Sequence, residues 1–251
     1  MTPPVAKPSN EVIRAALEAH GGLDRWLKVA YITANVAFDG VAWDAKTREH
    51  PLTRARVTVE TGEQRTILTP FLGAGRRSSY SPDLAAVVLA DGRVEKARAQ
   101  PRAAFATDTD DTAWDELKLA YFTGFAFWNY LNLPFLIAWP GFVVEDVTPF
   151  PSSTGTWQRV GYSFPEGIAT HNRLQAMYFD ERSILQRLDY NSEIFGGQAT
   201  AHLLSGYETV SGIPFPTRRE IVPRNQDHTS AEEPVLIGMT FTDIEVVDAE
   251  A

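Results

Sequence analysis

Cysteine is absent from this chain of 251 residues. Its absence removes disulfides, a thiolate nucleophile, iron–sulfur clusters and cysteine-ligated zinc together. Basic charge is also scarce: 23 lysines and arginines stand against 32 acidic residues, a formal net charge of −9. That balance offers no footprint for nucleic acid and is repelled by an anionic bilayer surface. The opening stretch, Met1-Thr2-Pro3-Pro4-Val5-Ala6-Lys7-Pro8-Ser9, lacks the apolar run of a secretory signal, so a cytoplasmic location is expected. Missing too are the Gly-x-Ser-x-Gly nucleophile elbow, the His-Glu-x-x-His metal helix and the phosphate-binding loop. Leu72-Gly73-Ala74-Gly75 echoes a dinucleotide turn, but it lacks the third glycine and runs into a strand pattern. The sequence therefore implies no cofactor and no metal.

What is present is an ordinary globular balance, 44% hydrophobic and 22% charged, at a length able to bury a large core. Ser9 or Asn10 can cap a first helix with Val12, Ile13, Ala16 and Leu17 on one stripe, which Gly21-Gly22 ends. Residues 23–27 add a short helical turn, so residues 1–28 read as the helical start. From Tyr31 the period becomes two: Ile32, Ala34, Val36 and Phe38 alternate with more polar neighbours. Further strands are expected at 53–60, 64–70, 77–80 and 84–89, then at 142–147, 156–164, 173–179, 184–194, 198–207, 213–222 and 235–246. Residues 225–234 read as a polar loop. With no linker or repeat, one α+β domain, an antiparallel meander with a few helices, accounts for the whole chain.

Residues 114–139 interrupt the meander. Residues 119–139 carry no charge and eight aromatics: Tyr121, Phe122, Phe125, Phe127, Trp128, Tyr130, Phe135 and Trp139. The length would suit a membrane span. Asn129, Asn132 and Pro134 within it, and the polar character of the remaining chain, favour a buried or pocket-lining helix and no membrane span. Buried tyrosine, tryptophan and asparagine all need polar partners. Apolar walls with a few convergent polar groups describe a small-molecule site, so Tyr121, Phe125, Trp128, Asn129 and Tyr130 are candidate ligand contacts. Trp43 and Tyr80, near strand ends, are candidates for its rim.

The helix ending in His20-Gly21-Gly22 is followed, far along the chain, by Tyr178-Phe179-Asp180 and Leu188-Asp189-Tyr190. Then come Gly206-Tyr207-Glu208 and Gly212-Ile213-Pro214-Phe215-Pro216-Thr217-Arg218. This pattern resembles the bacterial outer-membrane lipoprotein-carrier (LolA/LolB-like) superfamily. The resemblance implies a strongly curved antiparallel half-barrel, plugged on its concave face by helices around a hydrophobic cavity. The chain departs from that pattern by having no lipid-attachment cysteine and by inserting the aromatic segment.

Five histidines complete the inventory. His50 and His228 read as solvated. His20 closes the first helix, where a cationic ring suits the C-terminal dipole. His171 and His202 lie near strands. If Gly196-Gly197 forms a two-residue hairpin turn, Asn191 pairs with His202; Tyr190 then faces the interior and His202 faces solvent, a relation that one bulge would reverse. His171, Tyr190 and His202 are the candidate catalytic groups, with Asp180, Asp189 or Glu193 as carboxylate partners. A metal held by His171, His202 and Glu193 has no sequence signature behind it. Two functions stay open: binding of a hydrophobic or aromatic small molecule in a helix-plugged half-barrel, and a cofactor-free enzyme (hydrolase, lyase or isomerase) using histidine or tyrosine in the same cavity. A third, docking of a protein partner on an exposed aromatic patch, is weaker. The oligomeric state is left open.

Overall fold

The computed structural model describes residues 10–250. Asn10 caps α1 (Glu11–Ala19), its side-chain oxygen accepting from the amides of Val12 and Ile13 at 2.9 and 3.2 Å; Ser9, the other expected cap, lies outside the described residues. Ile13, Ala16 and Leu17 form the buried stripe. Gly21 follows with φ +105°, and a Cβ there would stand 2.4 Å from the carbonyl oxygen of Gly212. A residue without a side chain is needed both for that backbone and for that approach. Next comes α2 (Leu23–Trp26), where Arg25 Nε donates to Ser211 O at 3.0 Å. The His20-Gly21-Gly22 corner is thereby docked on the turn that opens the Gly212-Ile213 strand.

Among the described residues, thirteen strands form a single antiparallel sheet. The first meander is β1 (Val29–Asp39), β2 (Arg54–Glu60), β3 (Thr66–Thr69), β4 (Arg76–Ser81), β5 (Leu84–Leu89) and β6 (Val94–Ala99). The second is β7 (Val143–Ser152), β8 (Gly155–Ser163), β9 (Leu174–Phe179), β10 (Leu185–Ser192), β11 (Gln198–Val210), β12 (Ile213–Pro223) and β13 (Ile237–Asp248). The order is β6-β5-β4-β3-β2-β1-β13-β12-β11-β10-β9-β8-β7, so the two meanders join where β1 pairs with β13. The sheet does not close, and its curvature makes it a half-barrel. Both free edges are blunted: β6 is largely exposed and carries Glu95, Lys96 and Arg98, while β7 carries Pro149 and Pro151.

The chain must travel from one edge, β6, to the other, β7, and it does so across the concave face through α4 (Glu116–Asn132). Asp115 caps this helix, accepting from the amides of Leu117 and Lys118 at 3.0 and 2.8 Å. Every residue of α4 except Lys118 is buried. The helix stops at Asn132 because Leu133 precedes Pro134 and takes an extended conformation. Among the described residues no helix is long and apolar enough to cross a membrane. Gly124 lets α4 settle on the first meander: a Cβ would stand 2.2 Å from Tyr80 Cγ, and Thr66 Oγ1 donates to Gly124 O at 2.9 Å.

Two elements were not expected from the sequence. β6 is charged at three of its six positions because it is an edge exposed on both sides, so it shows no alternation. α3 (Val41–Thr47) turns Trp43 inward, where it stacks on Phe38 at 4.6 Å and donates from Nε1 to Leu52 O at 3.0 Å. The β10–β11 connection also differs. A 3-10 turn over Glu193–Phe195 precedes Gly196 and Gly197, so Ser192 pairs with Gln198, Tyr190 with Thr200 and Leu188 with His202. The register lies three residues from the two-residue hairpin, and an odd shift exchanges the faces of one strand relative to the other. His202 therefore points inward with Tyr190, not to solvent, and is fully buried.

Candidate functional site

α4 lies close over β3, β4 and β5, and large side chains bridge the wider gap between it and β10–β12. That seam gathers Tyr130 from α4, His171 from the loop before β9, Tyr190 from β10, His202 from β11 and Arg219 from β12. All five are buried. The Tyr130 hydroxyl lies 2.7 Å from His171 Nε2 and 3.0 Å from the Tyr190 hydroxyl, forming one hydrogen-bonded run of three side chains. His171 stacks face to face on Tyr190 at 4.1 Å, and His202 meets the Tyr130 ring edge-on at 4.5 Å.

Burial controls the charges here. It holds the His171 imidazole down to about 3, with the Arg102 guanidinium adding to the effect. His202 is lowered for the same reason, reinforced by Arg219. Tyr130 and Tyr190 are both raised, chiefly by burial. At neutral pH both histidines and both tyrosines are therefore uncharged. Arg219 is the exception: burial pulls it down only to about 10, so it remains a cation. Its Nη2 donates to Tyr130 O at 2.9 Å, while Nε and Nη1 have no partner. Both ring nitrogens of His202 and Nδ1 of His171 are likewise unpartnered. Buried polar atoms without partners are uncommon and costly; here five sit in one seam.

Among the described residues no carboxylate enters the seam. Asp180 caps the turn after β9, its Oδ1 accepting from the amides of Arg182 and Ile184 at 2.9 Å each. Asp189 points to the opposite face of the sheet, bound by Arg187 and by the Tyr178 hydroxyl at 2.7 Å. Glu193 pairs with Arg102. Among the described residues no three His, Asp or Glu side chains gather as a metal site.

The remaining candidates divide. Phe125 reaches the seam, its ring 5.1 Å from His171. Asn129 is in the core, its amide donating to Phe125 O and Ala169 O at 2.7 and 2.9 Å. Trp128 leans away, donating from Nε1 to Glu60 O at 2.9 Å and meeting Trp139 edge-on. Tyr121, expected as a ligand contact, meets Tyr80 at 5.7 Å over the first meander; Tyr80 and Trp43, expected at a rim, are buried, as Tyr121 is. His20 is buried and lowered by desolvation rather than cationic, its Nδ1 donating to Ala16 O at 2.7 Å. Side chains of α4 fill most of the concave face. What stays open beside the seam is a cavity of about 20 Å³ lined by Phe122, His171, Tyr190, Ser192, Thr200 and Ile221 among others, room for about one water.

Arg219 was missed by the sequence reading. The signal was available: Ile213, Phe215, Arg219 and Ile221 share one parity, and all are buried.

No protein-family model matches the sequence, and no curated protein matches it. Solved structures do. A LolA superfamily protein from Nitrosomonas europaea superposes with a TM-score of 0.52 over 98% of this chain and 96% of its own, at 11% identity. The fold is LolA-like. A DUF1329 family protein from Desulfovibrio piger gives the same TM-score of 0.52 over 96% of this chain and 94% of its own, at 10% identity. Identities this low carry the architecture alone. The LolA-like architecture is thus shared, whereas α4 and the seam are described from this chain's own residues.

Proposed function

We propose that the protein binds a hydrophobic or aromatic small molecule between α4 and the concave face of its half-barrel. The observation that carries this reading is the seam itself: unpaired donors and acceptors set among Phe122, Phe125, Tyr130 and Tyr190, beside a small residual cavity. Apolar walls with a few convergent polar groups are the composition of a ligand site. In a helix–sheet interface with no ligand, those groups have a desolvation cost and no compensating bond. Entry requires α4 to shift outward from β10–β12, the side on which its backbone packs less closely.

The enzyme reading has one observation in its favour, the Tyr190–Tyr130–His171 run. It is the weaker of the two. A general base works best with a pKa near the working pH; a histidine held near 3 and tyrosines raised by burial are poor proton carriers at neutrality. No carboxylate reaches His171 to correct this.

The test is a comparison of native and denaturing mass spectra of the purified protein, followed by titration of any retained compound against Tyr190→Ala and Phe125→Ala. Retention of a hydrophobic compound, with affinity lost by about tenfold or more in either variant, is expected. Unchanged affinity in both folded variants would overturn the reading.

A further inference from the structure

Two arginines are buried in the second meander. Arg187 on the outer face is answered by Asp189, at 2.6 and 3.0 Å. Arg219 on the inner face is as deeply buried, and among the described residues no carboxylate pairs with it. What surrounds it is aromatic: its guanidinium carbon lies 5.5 Å from the Tyr130 ring centre and 5.8 Å from that of Phe241. These faces soften the burial of a cation but satisfy no N–H. Across the β11–β12 pairing, Arg219 is opposite Leu204, and His202, the next inward residue along β11, offers two unpartnered ring nitrogens. An uncompensated charge of this kind is strongly unfavourable in a dry interior, and an anion removes the penalty by supplying both charge and acceptors.

We propose that Arg219, with His202 beside it, is the anion-binding pole of the interior, taking the oxyanion head of an amphiphile whose apolar tail lies along α4. The inference rests on the ligand-binding reading above and deepens it, by naming the headgroup chemistry. Nε and Nη1 of Arg219 lie on different edges of the guanidinium fork; the N–H of Nη2 that Tyr130 O leaves free completes a two-point edge with one of them, the arrangement that matches a carboxylate or phosphate oxygen pair. One nitrogen of neutral His202 donates a further hydrogen bond to the same head. The Nη2 bond to Tyr130 O holds the fork on the α4 side of the sheet, facing the aromatic surface that would carry the tail.

The experiment titrates four amphiphiles of equal chain length into the full chain, by native mass spectrometry and tryptophan fluorescence: palmitate, hexadecyl phosphate, hexadecanol and hexadecyltrimethylammonium. The expected result is that at least one acid binds about tenfold to a hundredfold more tightly than the alcohol, as charge-assisted hydrogen bonds to a buried fork require. The cation should bind more weakly than the alcohol. Palmitate against hexadecyl phosphate then separates a carboxylate from a phosphate source. Arg219→Gln should shrink the acid preference, read as the ratio of acid to alcohol affinity within the same variant, to less than about threefold. Arg219→Lys keeps the charge and should retain part of the preference, which guards against a glutamine variant that misfolds. Equal affinity for acid and alcohol in the wild-type protein would overturn this inference and leave the ligand-binding reading standing. Binding of none of the four would also overturn this inference, while the ligand-binding reading is decided separately by the retained compound and the Tyr190→Ala and Phe125→Ala variants.

Discussion

The outer and inner faces of β10–β12 bury the same cation in opposite circumstances. On the outer face Arg187 is clamped by Asp189, donates a further bond to His228 O at 2.7 Å and lies over the rings of Tyr178 and Phe150. Nearly every demand of that group is met within the protein. On the inner face Arg219 has one backbone acceptor and no counter-charge, among histidines and tyrosines that are all neutral. Folding alone explains Arg187 and leaves Arg219 unexplained. A buried group with unmet demands in a fold that otherwise meets them points to function rather than stability.

The contrast can be broken most severely from the outer face. Asp189→Ala leaves Arg187 buried and unanswered and also removes the carboxylate 3.6 Å from Arg224. It should cost about 3–5 kcal/mol of stability, read from urea unfolding. A loss below about 1 kcal/mol would show that the two faces do not differ in this way. On the inner face the sign should reverse. Arg219→Met removes an uncompensated charge while keeping much of the volume, so unfolding should need about 1–2 kcal/mol more. A variant that melts well below the wild-type protein would mean that the fold itself requires Arg219.

Acid sharpens the same comparison. His171 has a folded value near 3 against 6.5 in its ordinary state, so the unfolded chain takes the proton more readily. Its contribution is fully present above about pH 6.5 and is lost as pH falls from there towards 3, by up to about 1.4 kcal/mol per unit. Melting temperature measured from pH 7 to pH 4 should fall less steeply in His171→Gln than in the wild-type protein. The smallest effect belongs to Arg218, the half-buried neighbour of Arg219 on β12, which pairs with the exposed Asp39 at 2.8 Å. Asp39→Ala should change stability by less than about 1 kcal/mol, because solvent already screens that pair.

Much of this architecture is legible residue by residue. The alternation Ile32, Ala34, Val36 marks β1, and the uncharged run through Trp128 marks a helix buried on all sides. The Gly212-Ile213 motif marks a strand whose opening turn receives the His20-Gly21 corner. β6 escaped because an exposed edge has no buried face to print a pattern. His202 was turned the wrong way because a 3-10 turn replaced a two-residue hairpin, and a three-residue shift of register leaves the composition of both strands unchanged. Of the seam, Tyr130, Tyr190, His171 and His202 are legible in the sequence as candidates, with Phe125 at its border, whereas Arg219 is not. Trp128, Asn129, Tyr121, Tyr80 and Trp43 form the core around it.

The sequence by itself determined the periods: two along the meanders, where alternate residues meet the same face, and an unbroken apolar run where α4 has no face toward water. These follow from backbone geometry and hydrophobic burial, which act over a few residues. Only the tertiary structure decided that Tyr130, His171, Tyr190, His202 and Arg219 share one seam. Their meeting depends on the register of β10 to β12 and on where α4 crosses between the sheet's two edges. Such contacts join residues separated by up to 89 positions, as in Arg219 to Tyr130. No local pattern encodes that distance; the packing of the whole sheet sets it.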